Sequence, residues 1–328
     1  MATRSQRRPI ARRTSLLAAV VAYVLVGAFI GVAAWKLTET AVETKELEAF
    51  ERTSITEAFV PPPIPSGPFH DLALQGVLEQ NLPAAGTVGL YVKHLSTGAS
   101  ASVNGNRVMP AASLYKLPIM TEVIRQVRLQ RLSLDQQMTV NRAHWVPGSG
   151  VLQARVGESL PVRELLQLLI QQSDNIAAMM LLDLTGLNNV NLTMQGMGLR
   201  QTRLLDYRTP GVLSTPIGPY QTTAGDMGLL MDTIAGGKLV DPTGSEEALK
   251  LLEAKQASEL LADGLPWWAK VAHKWGEIPG ARHEAGIVFT PRGQYVVIVM
   301  TENLDPNGSG GYITDVSRAI FAYFEKDR

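Results

Sequence analysis

The order of strand-like and helix-like segments constrains the fold of this chain more than any other feature of its sequence. Residues 87–94 alternate apolar and polar side chains like a half-buried strand, and residues 294–301 form another strand pattern far along the chain. Within the latter, residues 297–300 are all apolar, which is typical of a central strand covered on both faces. Because segments from both ends must pair in one sheet, the helical stretch between them is predicted to be an insertion.

We therefore predict an α/β domain of the α+β type over residues 70–328. Its core is a five-stranded, mostly antiparallel sheet flanked by helices, with an inserted all-helical lobe at about 113–235. The predicted strands are 87–94, 99–103, 270–275, 284–290 and 294–301, and the predicted helices include 162–170, 175–184 and 314–324. The cleft between the sheet and the inserted lobe is where we expect the functional site.

The first 69 residues have a different character. Residues 1–15 carry five arginines and no acidic residue, and residues 16–35 are an uncharged stretch long enough to cross a bilayer as a helix. The arginines favour a cytoplasmic N-terminus, so we predict a single-pass anchor in the cell membrane and an extracytoplasmic domain. Residues 36–69, acidic and proline-rich, are predicted to form a stalk. The alternative is a signal peptide cleaved near residues 31–33.

The overall composition excludes several classes of chemistry. Lysine and arginine together number 30, as do aspartate and glutamate, so the formal net charge is zero and does not favour a nucleic-acid partner. The chain has no cysteine, which excludes thiolate nucleophiles, zinc–thiolate sites and disulfides. Its five histidines are scattered without the close spacing of a metal site, so neither a metal nor another cofactor is predicted.

Three short motifs carry candidate chemistry. Ser113 and Lys116 form an S-x-x-K at the predicted start of a helix, where one turn places hydroxyl and amine on the same face. The second motif is Ser173-Asp174-Asn175, which can also be explained as an ordinary helix N-cap. The third is Lys274-Trp275-Gly276 on a predicted edge strand, which can also be a strand end with one solvated lysine. Each motif taken alone is weak, so their order and spacing matter.

In that order and spacing, the three motifs resemble those of class A β-lactamases and penicillin-binding proteins. The resemblance covers roughly residues 70–328. It is reinforced by a Val-Arg-Glu-Leu segment at 162–165, by a Gly-Ser-Gly-Val-Leu-Gln loop at 148–153, and by Thr222-Thr223 with Met227 at the start of the next helix. We therefore expect a serine acyl-transfer protein of this kind.

The resemblance implies three catalytic residues. Ser113 would be the nucleophile that attacks the carbonyl of a β-lactam or a D-alanyl peptide. Lys116 would take its proton, because partial desolvation beside the cation of Lys274 favours a neutral amine. Ser173 would relay that proton to the leaving nitrogen.

The resemblance also implies the residues that bind substrate. Asn175 would contact the amide of the substrate side chain, and Lys274 would attract the substrate carboxylate. The backbone N–H groups of Ser113 and Glu277 would form an oxyanion hole. The substrate-binding set is therefore Asn175, Lys274, Gly276 and Glu277.

The sequence departs from the family pattern at several positions. Thr209 stands where class A β-lactamases place the glutamate that drives deacylation, and Leu213 stands at the position of a water-holding asparagine. Tyr207 and Gln221 occupy the positions of an Arg–Asp pair that fastens the same loop. Trp275 replaces the usual Thr or Ser, although on an edge strand its ring can point away from the cleft. These changes predict slow deacylation.

Two hypotheses follow. The first is a serine hydrolase that acylates and then slowly hydrolyses, either as a weak β-lactamase or as a D-alanyl peptidase. The second is a membrane-tethered penicillin-binding sensor or scaffold, a pseudoenzyme without turnover. In both, the partners are a β-lactam or a peptidoglycan peptide and the membrane, and the protein is expected to be a monomer.

Overall fold

A computed structural model describes residues 70–206, 208–209, 211, 218–304 and 308–326. The predicted basic segment, anchor and stalk at 1–69 lie outside these residues. Within the described part of the chain, no helix has both the length and the apolar character needed to cross a membrane.

A five-stranded sheet forms the centre of the fold, with strand order β2-β1-β10-β9-β8. All four strand pairs are antiparallel, and the sheet uses strands from both ends of the domain. The strands are β1 (Thr87–His94), β2 (Ser100–Val103), β8 (Lys270–Ile278), β9 (Ala281–Thr290) and β10 (Gly293–Glu302). The predicted sheet is therefore confirmed, with strand ends that differ by a few residues.

Strand β10 lies in the middle of the sheet, as its apolar run predicted. Val299 is opposite Leu90 on β1 and opposite Glu284 on β9. Side chains alternate between the two faces of a strand. Ile298 accordingly packs in the core beneath the helical lobe, whereas Val297 packs in a second core on the other face. Burial on both faces explains why this segment is continuously apolar.

Helices cover both faces of the sheet. One face packs against α1 (Leu72–Gln80), α8 (Leu260–Asp263) and α9 (Ser309–Glu325). The other face packs against the inserted lobe, whose helices are α2 (Lys116–Arg128), α3 (Val162–Gln171), α4 (Asn175–Thr185), α5 (Leu187–Gly196), α6 (Ala224–Ala235) and α7 (Pro242–Leu252). Helix α2 contacts α3, α4, α5 and α7, so it is the central helix of the lobe.

The inserted lobe differs from the predicted all-helical lobe in two ways. It contains short strands, namely β3 (Met109–Pro110), β6 (Arg203–Leu204) and β7 (Tyr220–Thr222) in one sheet, and β4 (Gln137–Thr139) with β5 (Ser159–Pro161) in another. Pairing in these strands gives hydrogen-bond partners to the backbone N–H and C=O groups of the segments that connect the helices. In addition, α7 packs against α2 and α3 although it begins after the predicted boundary at residue 235.

Candidate active site

The candidate nucleophile lies on a tight turn between β3 and α2. Ser113 belongs to a 3₁₀ turn, Ala112–Tyr115, that leads directly into Lys116. Ala112 has a φ of 44°, in the left-handed region that non-glycine residues rarely adopt. Such strain persists only where the surroundings hold it in place, and it is common at functional sites. Ser113 is partly exposed, whereas Lys116 is fully buried.

Lys116 connects the candidate nucleophile Ser113 to the second motif. Its Nζ lies 3.3 Å from Ser113 Oγ and 3.0 Å from Ser173 Oγ. The same nitrogen donates to Asn175 Oδ1 at 2.7 Å and to the backbone carbonyl of Ser173. One amine therefore lies between the two hydroxyls, where a proton can pass from one to the other through it.

Burial changes the acid–base behaviour of Lys116. Desolvation lowers its pKa to about 7, although the negative charge of Asp174 acts in the opposite direction. A substantial fraction of the amine is then neutral near neutral pH. A neutral lysine beside a serine hydroxyl can accept its proton, which an ordinary surface lysine does not do at this pH.

The second motif serves two purposes at once. Asp174 is the N-cap of α4 and accepts from Ala177 N at 2.9 Å, so the helix-cap interpretation is correct for this residue. Ser173, immediately before it, is fully buried and has a φ of 49°. With this backbone conformation, both the carbonyl oxygen and the hydroxyl of Ser173 contact the amine of Lys116.

The loop at 147–152 is fastened to the second motif. Asp174 Oδ2 accepts from Val151 N at 2.6 Å and from Leu152 N at 2.9 Å. Gly150 has a φ of 122°, and a Cβ there would collide with the Asp174 carboxylate. The loop also contacts Asn175, which donates from its side chain to the carbonyl of Pro147 at 2.9 Å. The loop and the motif were recognised in the sequence, but nothing in the sequence predicted the hydrogen bonds from the loop to the Asp174 carboxylate.

The third motif lies on the edge strand β8, which pairs only with β9 in the five-stranded sheet. Gly276 contacts the turn at 112–115 that carries Ser113, called the nucleophile turn below, since a Cβ on Gly276 would be 2.8 Å from Ser113 N. Strand alternation places Trp275 on the face opposite to Lys274 and Gly276. Its ring centroid nevertheless lies 4.9 Å from Lys274 Nζ, so the ring flanks this amine.

Lys274 is buried completely, and its Nζ donates to the carbonyl of Trp275 at 2.7 Å. Burial lowers its pKa well below the ordinary lysine value, and the positive charge of Lys116 lowers it further. The charge of Glu284 partly offsets both effects. Two neighbouring amines in a desolvated site disfavour simultaneous protonation, which helps to keep one of them neutral.

Glu277 and Thr209 both make hydrogen bonds within their own segments. The Glu277 carboxylate pairs with Arg282 at 2.6 Å across the β8–β9 hairpin, so only its backbone is a candidate for the predicted oxyanion hole. Thr209 is exposed, and its backbone N–H donates to the carbonyl of Asp206 at 2.9 Å. Tyr207 and Leu213, which the sequence analysis also singled out, lie outside the described residues.

The structure thus brings Ser113, Lys116, Ser173 and Asn175 into direct contact, with Gly276 against the nucleophile turn. Lys274, also fully buried, interacts electrostatically with Lys116. A partly exposed serine beside a fully buried lysine, where an antiparallel sheet meets a helical lobe, defines a class of serine acyl-transfer proteins.

The comparison with protein families agrees with this class. A family model described as "Beta-lactamase enzyme family" matches residues 73–324. The chain belongs to the beta-lactamase enzyme family, and the resemblance seen in the sequence motifs is confirmed.

Individual relatives show how far the similarity extends. The extended-spectrum beta-lactamase PER-1 of Pseudomonas aeruginosa is 26% identical over 231 residues, which are 65% of this chain and 74% of the relative. A beta-lactamase structure from Sphaerobacter thermophilus has a TM-score of 0.71 at 29% identity, covering 77% of this chain and 98% of that one. A mutant of PBP-A, solved as an acyl-enzyme complex with penicillin G, has a TM-score of 0.69 at 31% identity and covers 78% and 96%.

Proposed function

We propose that this protein is a serine acyl-transfer enzyme that forms an acyl-enzyme with β-lactams or D-alanyl peptides and releases it slowly. The observation that carries the proposal is the position of Lys116 Nζ, 3.3 Å from Ser113 Oγ and 3.0 Å from Ser173 Oγ. Family membership supports the β-lactam substrate, because relatives named as beta-lactamases match most of the domain.

Acylation follows from the geometry. Neutral Lys116 takes the proton of Ser113, and the Oγ attacks the carbonyl carbon of the substrate. Negative charge develops on the carbonyl oxygen, which the backbone N–H groups of Ser113 and Glu277 stabilise in this proposal. Lys116 passes its proton through Ser173 to the leaving nitrogen while the C–N bond breaks. The product is an ester on Ser113, with the amine of the substrate protonated.

Slow deacylation is supported by the side chain at position 209 and by the arginine partners of the carboxylates of Asp206 and Glu277. A water molecule needs a general base to attack the ester at a useful rate, and the hydroxyl of Thr209 is not such a base near neutral pH. Asp206 is held by Arg208 at 2.8 Å, and hydrogen bonds from that residue lower the pKa of Asp206. Glu277 is paired with Arg282. The arginine partner of Asp206 thus weakens that carboxylate as a base.

In this proposal the substrate is recognised by hydrogen-bonding groups of Asn175 that have no partner among the described residues, and by the amine of Lys274. Asn175 Oδ1 accepts from Lys116 and its Nδ2 donates to Pro147, which leaves one amide hydrogen and one lone pair for a substrate amide. Lys274 is fully buried, and in this proposal it attracts the substrate carboxylate when it is protonated, because burial and Lys116 lower its pKa. A β-lactam and a D-alanyl peptide both combine an amide with a carboxylate, so both suit these groups.

The proposal includes the cellular setting. A membrane anchor at 16–35 and a stalk at 36–69 would hold a monomeric domain outside the cytoplasm, near peptidoglycan. A reporter fused after Arg328 tests this topology, because it is expected to function only outside the cytoplasm. Cytoplasmic reporter activity overturns this part of the proposal.

A second function, a penicillin-binding sensor or scaffold without turnover, is favoured by Thr209 alone. Covalent labelling tests the common first step. A fluorescent penicillin is expected to label the full-length protein with a signal that survives denaturation, and Ser113→Ala is expected to abolish it. Equal labelling of both proteins overturns Ser113 as the nucleophile. Rapid hydrolysis of a chromogenic cephalosporin overturns slow release and excludes the sensor.

A further inference from the structure

His283 is a fully buried histidine on β9 that the mechanism above does not use. In the sheet it lies between Gly276 on β8 and Met300 on β10, and directly opposed residues share a face. That face carries the helical lobe and the nucleophile turn. His283 therefore lies on the side of the sheet where Gly276 contacts Ser113.

The hydrogen bonds of His283 fix its tautomer. The backbone N–H of Thr301 donates to Nδ1 at 3.1 Å, so Nδ1 must present a lone pair. The proton is then on Nε2, which lies 2.8 Å from the carbonyl oxygen of Pro110 and donates to it. Burial lowers the pKa of His283 to about 4, which keeps this neutral tautomer in place near neutral pH.

Pro110 is three residues before the nucleophile. The backbone of the two residues between them is constrained: Ala111 N donates to Tyr220 O at 2.8 Å, and Ala112 has a left-handed φ. Gly276 then limits how closely Ser113 can approach the sheet. Because the backbone between Pro110 and Ser113 is constrained, a shift of the Pro110 carbonyl is expected to shift Ser113 as well.

We propose that His283 is a positioning residue for the nucleophile: its Nε2–H bond to Pro110 O fixes the distance between the 112–115 turn and the sheet. This distance sets where the N–H and Oγ of Ser113 stand relative to Glu277 N–H on β8. The inference rests on the proposed acylation by Ser113. His283 touches no reacting atom and acts through the backbone.

Two substitutions separate the two hydrogen bonds. In His283→Asn, the side-chain oxygen can replace Nδ1 as the acceptor for Thr301 N–H, but no donor reaches Pro110. In His283→Gln, the side-chain nitrogen can replace Nε2 as the donor to Pro110, but the acceptor for Thr301 is lost. Each variant breaks one buried bond, so both are expected to lose similar stability.

The acylation rate of the full-length protein with benzylpenicillin is the first readout. His283→Asn is expected to slow acylation about tenfold at saturating drug, with the half-saturating concentration unchanged. His283→Gln is expected to stay within about twofold of the wild type. Equal slowing in both variants, or no slowing in His283→Asn, overturns the proposal.

Amide hydrogen exchange gives a readout that does not depend on β-lactam chemistry. Exchange in the peptide spanning 109–117 is expected to accelerate in His283→Asn only, and exchange at Thr301 in His283→Gln only. If the wild type forms no adduct, the proposed function fails while this exchange pattern still supports the positioning role. Unchanged exchange at 109–117 in His283→Asn overturns that role even when acylation proceeds.

Discussion

A Cβ atom on Gly276 would lie 2.8 Å from the backbone nitrogen of Ser113, closer than real Cβ contacts allow. The edge strand of the sheet and the nucleophile turn therefore meet backbone to backbone. This contact brings the third motif to the first although more than 150 residues separate them in the sequence. It also makes the site sensitive to a single added methyl group.

Gly276→Ala is expected to slow acylation about tenfold or more, because the methyl group pushes the Ser113 backbone away from β8. The atoms it meets are the backbone nitrogens of Ser113 and Leu114 and the Cβ of Ala112, none of which is the end of a flexible side chain. The measurement is the rate of covalent labelling by a fluorescent penicillin. Gly76→Ala on α1, where the added atom meets nothing within 4 Å, is the matched control and is expected to label normally. Normal labelling of Gly276→Ala would contradict the account.

The lowered pKa of Lys116 predicts the pH dependence of acylation. Desolvation brings this pKa to about 7, and in the proposed mechanism the base is the neutral amine. The acylation rate is therefore expected to rise about tenfold between pH 6 and pH 8 and then to level off. Stopped-flow labelling across this range measures the rise, and Lys116→Arg, which stays protonated, is expected to acylate negligibly at any pH. A rate that is flat or falls over this range would show that another group is the base.

The buried carboxylate of Asp174 predicts an effect on stability. It accepts three backbone N–H groups, from Val151, Leu152 and Ala177, and an amide in its place cannot accept them all equally well. Asp174→Asn is expected to lower the free energy of unfolding by about 2–4 kcal/mol, measured by urea denaturation. Asp241→Asn at the more exposed N-cap of α7 is the control, with an expected cost below about 1 kcal/mol. Similar costs at both sites would refute the role given to Asp174.

The sequence allowed the sheet and the motifs to be predicted because both depend on local patterns. The apolar run at 297–300 is long enough to require burial on both faces, and β10 is indeed the central strand. Ser113 and Lys116 are one helical turn apart, so their contact follows from chain geometry alone.

Other features depend on contacts between distant segments. The bond from His283 to Pro110 spans 173 residues, and a single histidine in a strand gives no sign of its partner. Short strands such as β6 and β7, each of two or three residues, are too brief to show a period. The tie between Asp174 and the 147–152 loop was likewise hidden, because a helix cap already explained that residue.

Thr209→Glu tests the reason given for slow release. A carboxylate at this exposed loop position is expected to shorten the lifetime of the penicilloyl adduct about tenfold, because it can activate water. The rate of adduct formation is expected to stay the same. Thr243→Glu, an equal charge change at another exposed threonine on α7, is expected to alter neither rate. An unchanged adduct lifetime in Thr209→Glu would mean that the missing glutamate is not what limits deacylation.

The most direct test of the account is the intact mass of the full-length protein against time after mixing with benzylpenicillin, beside Ser113→Ala. Only the wild type is expected to gain the mass of one drug molecule, and this adduct is expected to persist for many minutes after free drug is removed. A wild type that returns at once to its original mass while drug is hydrolysed would contradict slow deacylation. A wild type that never gains mass and hydrolyses no drug would contradict the assignment of Ser113 and Lys116 as the acylating pair.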